Sequence, residues 1–376
     1  MHEPGVDSRY TIIRSFSEIG PAEWDSVASS TDFYLSHGWL SCAEQVHTGG
    51  VGAVLVWRDG KIAAAAPYWI ADGSESQHRS PSFLLGDLGV SSDRYLVVGV
   101  PNAYLSSVLF REDADAFVLG DLAAGLSSAQ DLECAVASIA LYADAPTTRL
   151  LVAGASSTVP VLLNAEAVIP VPATMEEFPL GASNARRQSI RRERRRFDAA
   201  GYDTAIVSLS SCVEEFATLV WNVDARYGTR SDRSVIERAL RLQAASCGYA
   251  DRVFTVRRDG VLCAGSLCYV HRDTLTVRVF GAEYELLSDA FEYFAATYYL
   301  PVEYAVRTRL KRVKVGIAAA DVKVARGAEL FPLWAVALGE NELWRTDAAI
   351  ERNGRVLAEM PPGPSEGVRN WAELWR

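Results

Sequence analysis

The chain has 376 residues, of which 49% are hydrophobic and 22% are charged, and its formal net charge is −10 at pH 7. This composition is typical of a globular protein, and the length suggests two domains. The acidic balance disfavours a protein whose main task is to bind long nucleic acids, because such proteins usually present a basic face.

The N-terminal segment and the cysteines argue against further classes of protein. The opening segment MHEPGVDSRYTIIRS lacks a long apolar run, so it predicts no signal peptide. No apolar run reaches about 18 residues, so no membrane span is expected. The six cysteines are scattered and form no CxxC pair, which predicts reduced thiols and no metal site. We therefore expect a cytoplasmic protein without a metal.

Residues 1–171 predict a first domain. A short strand (YTIIRSF) precedes a helix with Pro21 in its first turn, and DFYLSHGWLSCAEQV predicts a loop that enters a second helix. Two apolar runs joined by Asp59-Gly60 predict a β-hairpin. Further short strands, an Ala/Leu-rich helix over residues 116–142 and closing strands complete this domain.

Residues 172–185 contain two prolines and a glycine and predict a linker. The following segment, NARRQSIRRERRRFDAAGY, predicts a helix that ends near Gly201. Seven arginines lie within eleven residues of this helix: Arg186, Arg187, Arg191, Arg192, Arg194, Arg195 and Arg196. The helix is either a solvated surface or a contact for an anionic partner, such as phosphates or an acidic protein.

Residues 186–345 predict a second domain. After the arginine segment come a strand, two helices, a hairpin around Asp259-Gly260, a third strand over residues 274–284 and an aromatic-rich helix (DAFEYFAATYYLPVEYAVRTRL). The apolar segments VKVGIAAADVKV and ELFPLWAVAL predict closing strands, and Asn353-Gly354 predicts a hairpin in the tail of residues 346–376. The two Asp-Gly hairpins lie about 200 residues apart, which indicates two copies of one fold.

Several segments resemble the double-GNAT proteins related to Fem-type aminoacyl transferases. They are Trp24, FYLSHGWL, the hairpin that ends in Pro67, RRQSIRRERRRFDAAG, WNVDARYG, RVFTVRRDGVLCAGSL and YYLPVEYAVRTRLKRVKVGIAAADVKVARG, with Gly316, Lys323 and Gly327 where the family tends to have a glycine, a lysine and a glycine. The resemblance covers nearly the whole chain up to about Leu338. It implies an α/β (α+β) fold of two tandem GNAT-like domains, each a mixed, mostly antiparallel sheet flanked by helices.

The resemblance implies amide-forming transfer of an acyl group to the amine of a small biosynthetic intermediate. In such proteins a splayed pair of central strands holds the donor arm, a backbone N–H stabilises the oxyanion, and a general base deprotonates the amine. CoA-using members carry a [Q/R]-x-x-G-x-[G/A] loop at a helix start, where amides bind the pyrophosphate. The segment GAEYELLSDAFEY has no such loop, nor has the rest of the chain, so CoA is the less expected donor.

Two macromolecular donors remain, and both are anionic. The first is an acyl group on the phosphopantetheine arm of an acidic carrier protein, and the second is an aminoacyl-tRNA. We favour the carrier protein, because tRNA binding usually requires a broader basic surface than one arginine helix. A Fem-type, tRNA-dependent peptide-bond-forming transferase is the alternative, and a non-catalytic binding module is the second alternative.

The expected catalytic residues lie in the second domain. Glu283 and Tyr284 follow the third strand as a candidate base and acid, and His271 ends a strand. Asp321 and Lys323 alternate on one face of the predicted strand AAADVKV, which suggests a cleft. The structural alternatives are loop residues, a structural histidine and a solvated strand edge.

The expected binding residues lie in both domains. Those for the donor or partner are Arg187, Arg191, Arg194, Arg195, Phe280 and Tyr299. Those for the acceptor are His37, Trp39 and Tyr227. A helix-capping turn is the structural alternative for the first two acceptor residues, and core packing is the alternative for Tyr299. No permanently bound cofactor is expected.

Overall fold

The structure is a computed structural model that describes residues 9–28, 32–103, 105, 107–112, 114–155, 159–228, 232–339 and 342–361. These residues divide into two compact units, of which the first contains residues up to 165 together with 331–360, and the second contains residues 166–330. The units differ from the predicted domains in two ways: residues 166–171 lie with the second unit, and the described residues of 331–345 lie with the first. The rest of the predicted tail, residues 362–376, lies outside the described residues.

The described residues form both strands and helices. The strands are β1 (Tyr10–Ile13), β2 (Val51–Arg58), β3 (Lys61–Ala71), β4 (Tyr95–Val98), β5 (Leu109–Phe110), β6 (Ala137–Ala143), β7 (Val161–Pro170), β8 (Asp203–Val207), β9 (Asp251–Arg258), β10 (Val261–His271), β11 (Thr274–Ala282), β12 (Arg312–Lys314) and β13 (Glu329–Leu338). The helices are α1 (Pro21–Ala28), α2 (His37–Val46), α3 (Pro81–Leu85), α4 (Ala116–Leu132), α5 (Ala145–Ala155), α6 (Asn184–Ala199), α7 (Val213–Arg226), α8 (Arg233–Cys247), α9 (Glu292–Phe294), α10 (Leu300–Arg307), α11 (Ala320–Val324) and α12 (Thr346–Glu359). A π-helical turn, Ala295–Tyr299, joins α9 to α10 without a break.

The first unit is built on a sheet in the order β1-β2-β3-β4-β6-β13. Its neighbouring strands are antiparallel except for β4 and β6, which run parallel. The predicted hairpin at Asp59-Gly60 is confirmed, and both turn residues have positive φ, at 52° and 69°. Helix α4 covers the sheet with residues spaced three or four apart, among them Leu122 and Leu126, which belong to the buried core.

The second unit repeats this pattern on a sheet in the order β7-β12-β11-β10-β9-β8. Strands β8 to β11 are antiparallel, β11 and β12 run parallel, and β7 closes the sheet antiparallel to β12. The predicted hairpin at Asp259-Gly260 is also confirmed, with φ values of 49° and 80°. Both units therefore pair their strands in the same order: three antiparallel pairs, one parallel pair and one antiparallel pair. This is the repetition that the two Asp-Gly turns indicated.

Helices cover both faces of the second sheet. Phe280 packs edge-to-face on Tyr293 at 5.0 Å between ring centroids, whereas a Cβ on Gly281 would lie 2.7 Å from Leu219 Cβ and 2.9 Å from Val220 N. Because successive residues of a strand point to opposite faces, α7 covers one face and the helical segment from α9 to α10 covers the other. The missing side chain of Gly281 therefore sets how closely α7 approaches β11.

Replacing Gly281 with alanine is expected to lower the free energy of unfolding by ~1–3 kcal/mol, because the added methyl group overlaps the α7 backbone. Urea denaturation of the purified variant measures this change. Gly120→Ala is the matched control, since nothing lies within 4 Å of a Cβ built there. An equal loss of stability in both variants would contradict the close approach described at Gly281.

Three local predictions are wrong. The helix predicted over residues 116–142 ends as α4 at Leu132, and residues 137–142 belong to strand β6. Residues 318–324 do not form a strand: β12 ends at Lys314, Ala319 turns the chain with φ +54°, and α11 follows. The tail around Asn353-Gly354 forms helix α12 rather than a hairpin. The Asn353 side chain bonds to the chain at the start of β7, accepting from Leu162 N at 2.7 Å and donating to Pro160 O at 2.9 Å. The Asn353 side chain therefore hydrogen-bonds to a distant part of the chain, and does not form the local hydrogen bonds by which asparagine favours a turn.

None of the helices in the part of the chain that the structure describes is both long and apolar enough to cross a membrane.

Candidate functional site

Strands β11 and β12 diverge within the second unit. Their parallel register covers only Thr274–Thr276 opposite Arg312–Lys314, and β11 then continues to Ala282. The chain after β12 follows β7 instead, where Val315 N donates to Ala167 O at 2.9 Å. The C-terminal half of β11 therefore has no strand paired to it on its β12 side among the described residues, and we call this unpaired edge the strand gap. An extended donor arm can hydrogen-bond to such a strand edge.

A buried group of charges lies where the strand gap begins. Lys314 Nζ lies 2.9 Å from Glu166 Oε2, and both side chains are almost fully buried. Lys323 of α11 is 5% exposed, and its Nζ lies 3.7 Å from the position that a Cβ on Gly316 would occupy. Gly316 has φ +76° and leaves room for the amine. We call Glu166, Lys314 and Lys323 the lysine cluster.

Lys323 has an unusual acidity for a lysine. Burial lowers the pKa of Lys323 to about 8, although the negative charge of Glu166 opposes this shift. An amine with this pKa is largely protonated at pH 7 but gives up its proton far more readily than an exposed lysine. It can therefore both stabilise developing negative charge and exchange protons with a substrate.

Thr276 is the last residue of the parallel register. It is 3% exposed, and its Oγ1 has no hydrogen-bond partner within the residues that the structure describes. Buried hydroxyl groups in proteins are almost always hydrogen-bonded. The Thr276 hydroxyl is therefore a buried group that a water molecule or a ligand would satisfy.

The predicted arginine-rich helix is confirmed as α6, and a buried acid attaches it to the second unit. Glu193 Oε2 accepts a hydrogen bond from the Arg326 guanidinium at 3.1 Å and another from the Tyr299 hydroxyl. The Arg326 guanidinium also lies 3.5 Å from the centroid of the Phe294 ring. Tyr299, which we predicted to bind the donor, thus holds the arginine helix in place.

The opposite face of the arginine helix is exposed. Its exposed arginines are Arg186, Arg191, Arg192, Arg195 and Arg196, and Arg187 and Arg194 are half-buried. Arg194 forms an ion pair with Glu303 at 3.7 Å, and Arg191 donates to Glu176 O at 3.2 Å. The helix therefore presents a row of guanidinium groups to solvent, as contact with an anionic partner requires.

The C-terminal end of β11 brings together three of the predicted site residues. Glu283 Oε2 accepts a hydrogen bond from Asn222 Nδ2 at 2.8 Å. The Arg226 guanidinium lies over the ring of Tyr284, 4.1 Å from its centroid, and Tyr227 is 77% exposed. Burial and the neighbouring Tyr227 raise the pKa of Tyr284. The structure thus places a carboxylate beside a phenol here, and their catalytic roles stay predictions.

Other predicted catalytic residues lie apart from this group. His271 pairs with Thr274, at the end of β11 that is remote from Glu283. Eight residues of strand separate the two ends by ~26 Å, so His271 and Glu283 cannot act on one substrate atom. Asp321 is exposed on α11 whereas Lys323 is buried, because residues two apart on a helix do not share a face. The prediction that Asp321 and Lys323 line one strand face is wrong.

The predicted acceptor residues of the first unit take part in its packing. His37 Nε2 lies 3.0 Å from Phe16 O and 3.1 Å from Ile19 O, and since carbonyls only accept, this nitrogen donates. Trp39 is 2% exposed and packs on Phe33 at 5.5 Å between ring centroids. Ser36 caps the N-terminus of α2, so the helix-capping turn that was the structural alternative for this segment is present. The acceptor role of His37 and Trp39 stays a prediction.

Sequence reasoning missed four charged residues at this site: Glu166, Lys314, Glu193 and Arg326. The pattern around Glu193 could have revealed it, because this lone acid within the arginine run shares a helix face with apolar Ile190 and Phe197. Glu166 and Lys314 lie far apart in sequence, and no local pattern pairs them.

Comparisons with known proteins agree with this architecture. Residues 173–349 match a family model described as FemAB-like, peptidoglycan biosynthesis/recognition. No curated protein matches the sequence. Among solved structures, FemX is similar with a TM-score of 0.57 and 12% identity, over 85% of this chain and 96% of that chain. The C-terminal domain (DUF2156) of a candidate lysylphosphatidylglycerol synthetase from Agrobacterium fabrum has a TM-score of 0.56 and 12% identity, over 93% and 100%. L-PGS from Bacillus licheniformis has a TM-score of 0.54 and 12% identity, over 90% and 96%.

The chain therefore shares the fold of FemX, of the Agrobacterium fabrum domain and of L-PGS, as the resemblance to Fem-type proteins implied. The segment that matches the family model covers slightly less than half of the chain and lies mostly in the second unit.

Proposed function

We propose that this protein is an enzyme that transfers an aminoacyl group from an aminoacyl-tRNA to the amine of a small acceptor. The observation that carries the proposal is the exposed arginine helix, which is anchored through Glu193 to the unit that contains the strand gap. A row of guanidinium groups suits the phosphates of a nucleic acid. The match to a family of peptidoglycan biosynthesis favours the tRNA alternative. Nothing in the comparisons supports the carrier protein that the sequence led us to favour.

The reaction replaces an ester by an amide. The acceptor nitrogen bonds to the carbonyl carbon, the ester C–O bond breaks, the nitrogen loses a proton and the released ribose oxygen gains one. In our proposal the Lys323 amine, beside the strand gap, stabilises the oxyanion and passes a proton to the leaving oxygen. It then takes up the proton that the new amide nitrogen loses. A pKa of about 8 suits a group that performs both steps near neutral pH.

Mass spectrometry of the products tests the choice of donor. The same aminoacyl group is offered on tRNA, on the phosphopantetheine arm of a carrier protein and on CoA, each with a panel of amines. We expect turnover from tRNA only. Turnover from the carrier protein alone would overturn the proposal in favour of our first interpretation. Specific binding of tRNA without turnover from any donor would favour the binding module.

The arginine helix gives a second test. Replacing Arg191, Arg192 and Arg195 together with alanine is expected to raise KM for aminoacyl-tRNA and leave kcat unchanged, because these exposed side chains would contact phosphates and not the reacting atoms. The slope of log KM against log salt concentration should fall by ~3, about one for each phosphate contact removed. Arg238→Ala, an exposed arginine on α8, is the matched control. An unchanged salt slope in the triple variant would disprove docking on this helix.

A further inference from the structure

A carboxylate of the chain itself occupies the start of the helical segment that runs from α9 to α10. Glu292, its first residue, is 3% exposed. Its Oε1 accepts a hydrogen bond from Ser288 N at 2.7 Å, and its Oε2 accepts one from Ala290 N at 3.0 Å. The Tyr202 hydroxyl donates to Oε1 at 2.6 Å. Two backbone N–H groups and one phenol therefore converge on this carboxylate.

The loop before the helix has the backbone form of an anion-binding nest. Asp289 and Phe291 have φ values of +54° and +65°, which non-glycine residues seldom adopt. When residues with left-handed φ values alternate with residues of ordinary negative φ, the backbone N–H groups of neighbouring residues point towards one place. N–H groups that converge in this way bind anions. We call residues 288–291 the amide nest, and Glu292 supplies its anion.

Arg258 fixes the amide nest from the other side. It donates to Leu286 O at 3.2 Å and to Ser288 Oγ. Its guanidinium also lies 4.4 Å from the centroid of the Tyr202 ring. The Arg258 side chain thus holds the Tyr202 phenol and the loop together. The amide nest can therefore hold an anion at a defined place.

Glu292 remains charged at neutral pH. Burial favours the neutral acid, but the hydrogen bonds from Tyr202 and from the backbone N–H groups of Glu292, Ser288 and Ala290 outweigh burial and hold the pKa of Glu292 below its usual value. A permanently attached anion also competes at a high effective concentration with any anion from solution.

We propose that Glu292 is a specificity-determining residue that fills the amide nest and thereby closes the start of this helical segment to the pyrophosphate of CoA. Helix starts and nests of this kind are the places where proteins bind phosphates. The inference deepens the proposed function and rests on it for the identity of the donor, since a donor that carries its phosphates to the arginine helix does not need the amide nest. A donor with a pyrophosphate next to its acyl arm does need it.

The first test removes the carboxylate. In Glu292→Ala the amide nest is expected to be empty, so the variant should melt at a lower temperature than the wild type. Millimolar inorganic pyrophosphate should raise the Tm of this variant, but not that of the wild type, when NaCl keeps the ionic strength constant. CoA should bind the variant ~10-fold or more tightly than the wild type, by isothermal titration calorimetry. Glu285→Ala, which removes an exposed carboxylate from the same loop, should respond like the wild type.

Equal binding of CoA by the wild type and by Glu292→Ala would overturn the proposal, and so would a folded alanine variant that pyrophosphate does not stabilise. Should Glu292→Ala fail to fold, the isosteric Glu292→Gln keeps the proposal testable. A carboxyl whose folded pKa is lowered stabilises the protein above its unfolded pKa, ~4.3, and this stabilisation is lost as the pH falls through the lower folded pKa.

The stability of the wild type relative to Glu292→Gln should therefore be greatest above about pH 5 and should shrink at lower pH. If the difference in stability between the wild type and Glu292→Gln does not change with pH, Glu292 is not held as an anion and the proposal is wrong. None of these measurements depends on transfer. Failure of the tRNA donor in the turnover assay is therefore distinguishable from failure of this inference.

Discussion

Replacing Lys323 with methionine is expected to lower kcat by ~10²–10³-fold, the effect of removing one group that stabilises an oxyanion or transfers a proton. The fold should be retained. Lys323 is 5% exposed and burial lowers its pKa, so its charge costs stability in the folded state, and an apolar side chain of similar size removes that cost. Steady-state kinetics with aminoacyl-tRNA measures the first effect, and thermal unfolding measures the second.

The pH dependence identifies the form of Lys323 that acts. Burial places the pKa of Lys323 at about 8, so the ammonium that stabilises the oxyanion disappears as the pH rises through this value. The ratio of wild-type kcat to K323M kcat should therefore fall above about pH 8, and taking this ratio cancels the titration of the acceptor amine. A ratio that rises with pH would instead make the neutral amine the active form, as a general base.

Lys311 provides the matched control for Lys323. Its side chain is 77% exposed next to β12, and its ion pair with Asp273 at 3.7 Å is solvent-screened. Lys311→Met should therefore leave kcat and its pH profile unchanged. An equal loss of activity in Lys311→Met and Lys323→Met would mean that the local positive charge matters, and not the position of the Lys323 amine beside the strand gap.

Replacing Glu193 with alanine should cause the largest loss of stability, ~3–5 kcal/mol in the free energy of unfolding, because the variant leaves the buried guanidinium of Arg326 without its carboxylate. The Tyr299 hydroxyl loses the same acceptor. Glu193→Gln should cost less, since the amide oxygen can still accept from Tyr299. Chemical denaturation followed by far-UV circular dichroism measures both variants.

The control for Glu193 lies on the same helix. Asp198 is exposed on the arginine helix, and Asp198→Ala should change stability by no more than ~0.5 kcal/mol. Because Glu193 anchors the arginine helix, the glutamine variant should also raise KM for aminoacyl-tRNA at temperatures where it is fully folded. Equal destabilisation by the two alanine variants would show that the anchor at Glu193 is not what holds this helix.

Much of the architecture was predictable from local patterns. The Asp59-Gly60 and Asp259-Gly260 turns depend on positive φ at adjacent residues, which is a local preference, and both hairpins are present. The arginine helix was predictable for the same reason, since it contains good helix formers and Gly201, with φ +72°, directly follows its C-cap residue Ala200. The resemblance to double-GNAT proteins then supplied the arrangement of these elements.

The amino-acid sequence by itself determined the hairpins, the arginine helix and the repetition of one fold, because each is encoded by residues close together in the chain or by a pattern along its length. Only the tertiary structure decided which charges meet. Lys314 pairs with Glu166, and Arg326 pairs with Glu193, across long stretches of chain. It also decided that α11 is a helix that buries Lys323, and that Glu292 fills the amide nest. The physical reason is that a buried charge depends on partners and a low dielectric that the whole fold provides, and nearby sequence does not specify either.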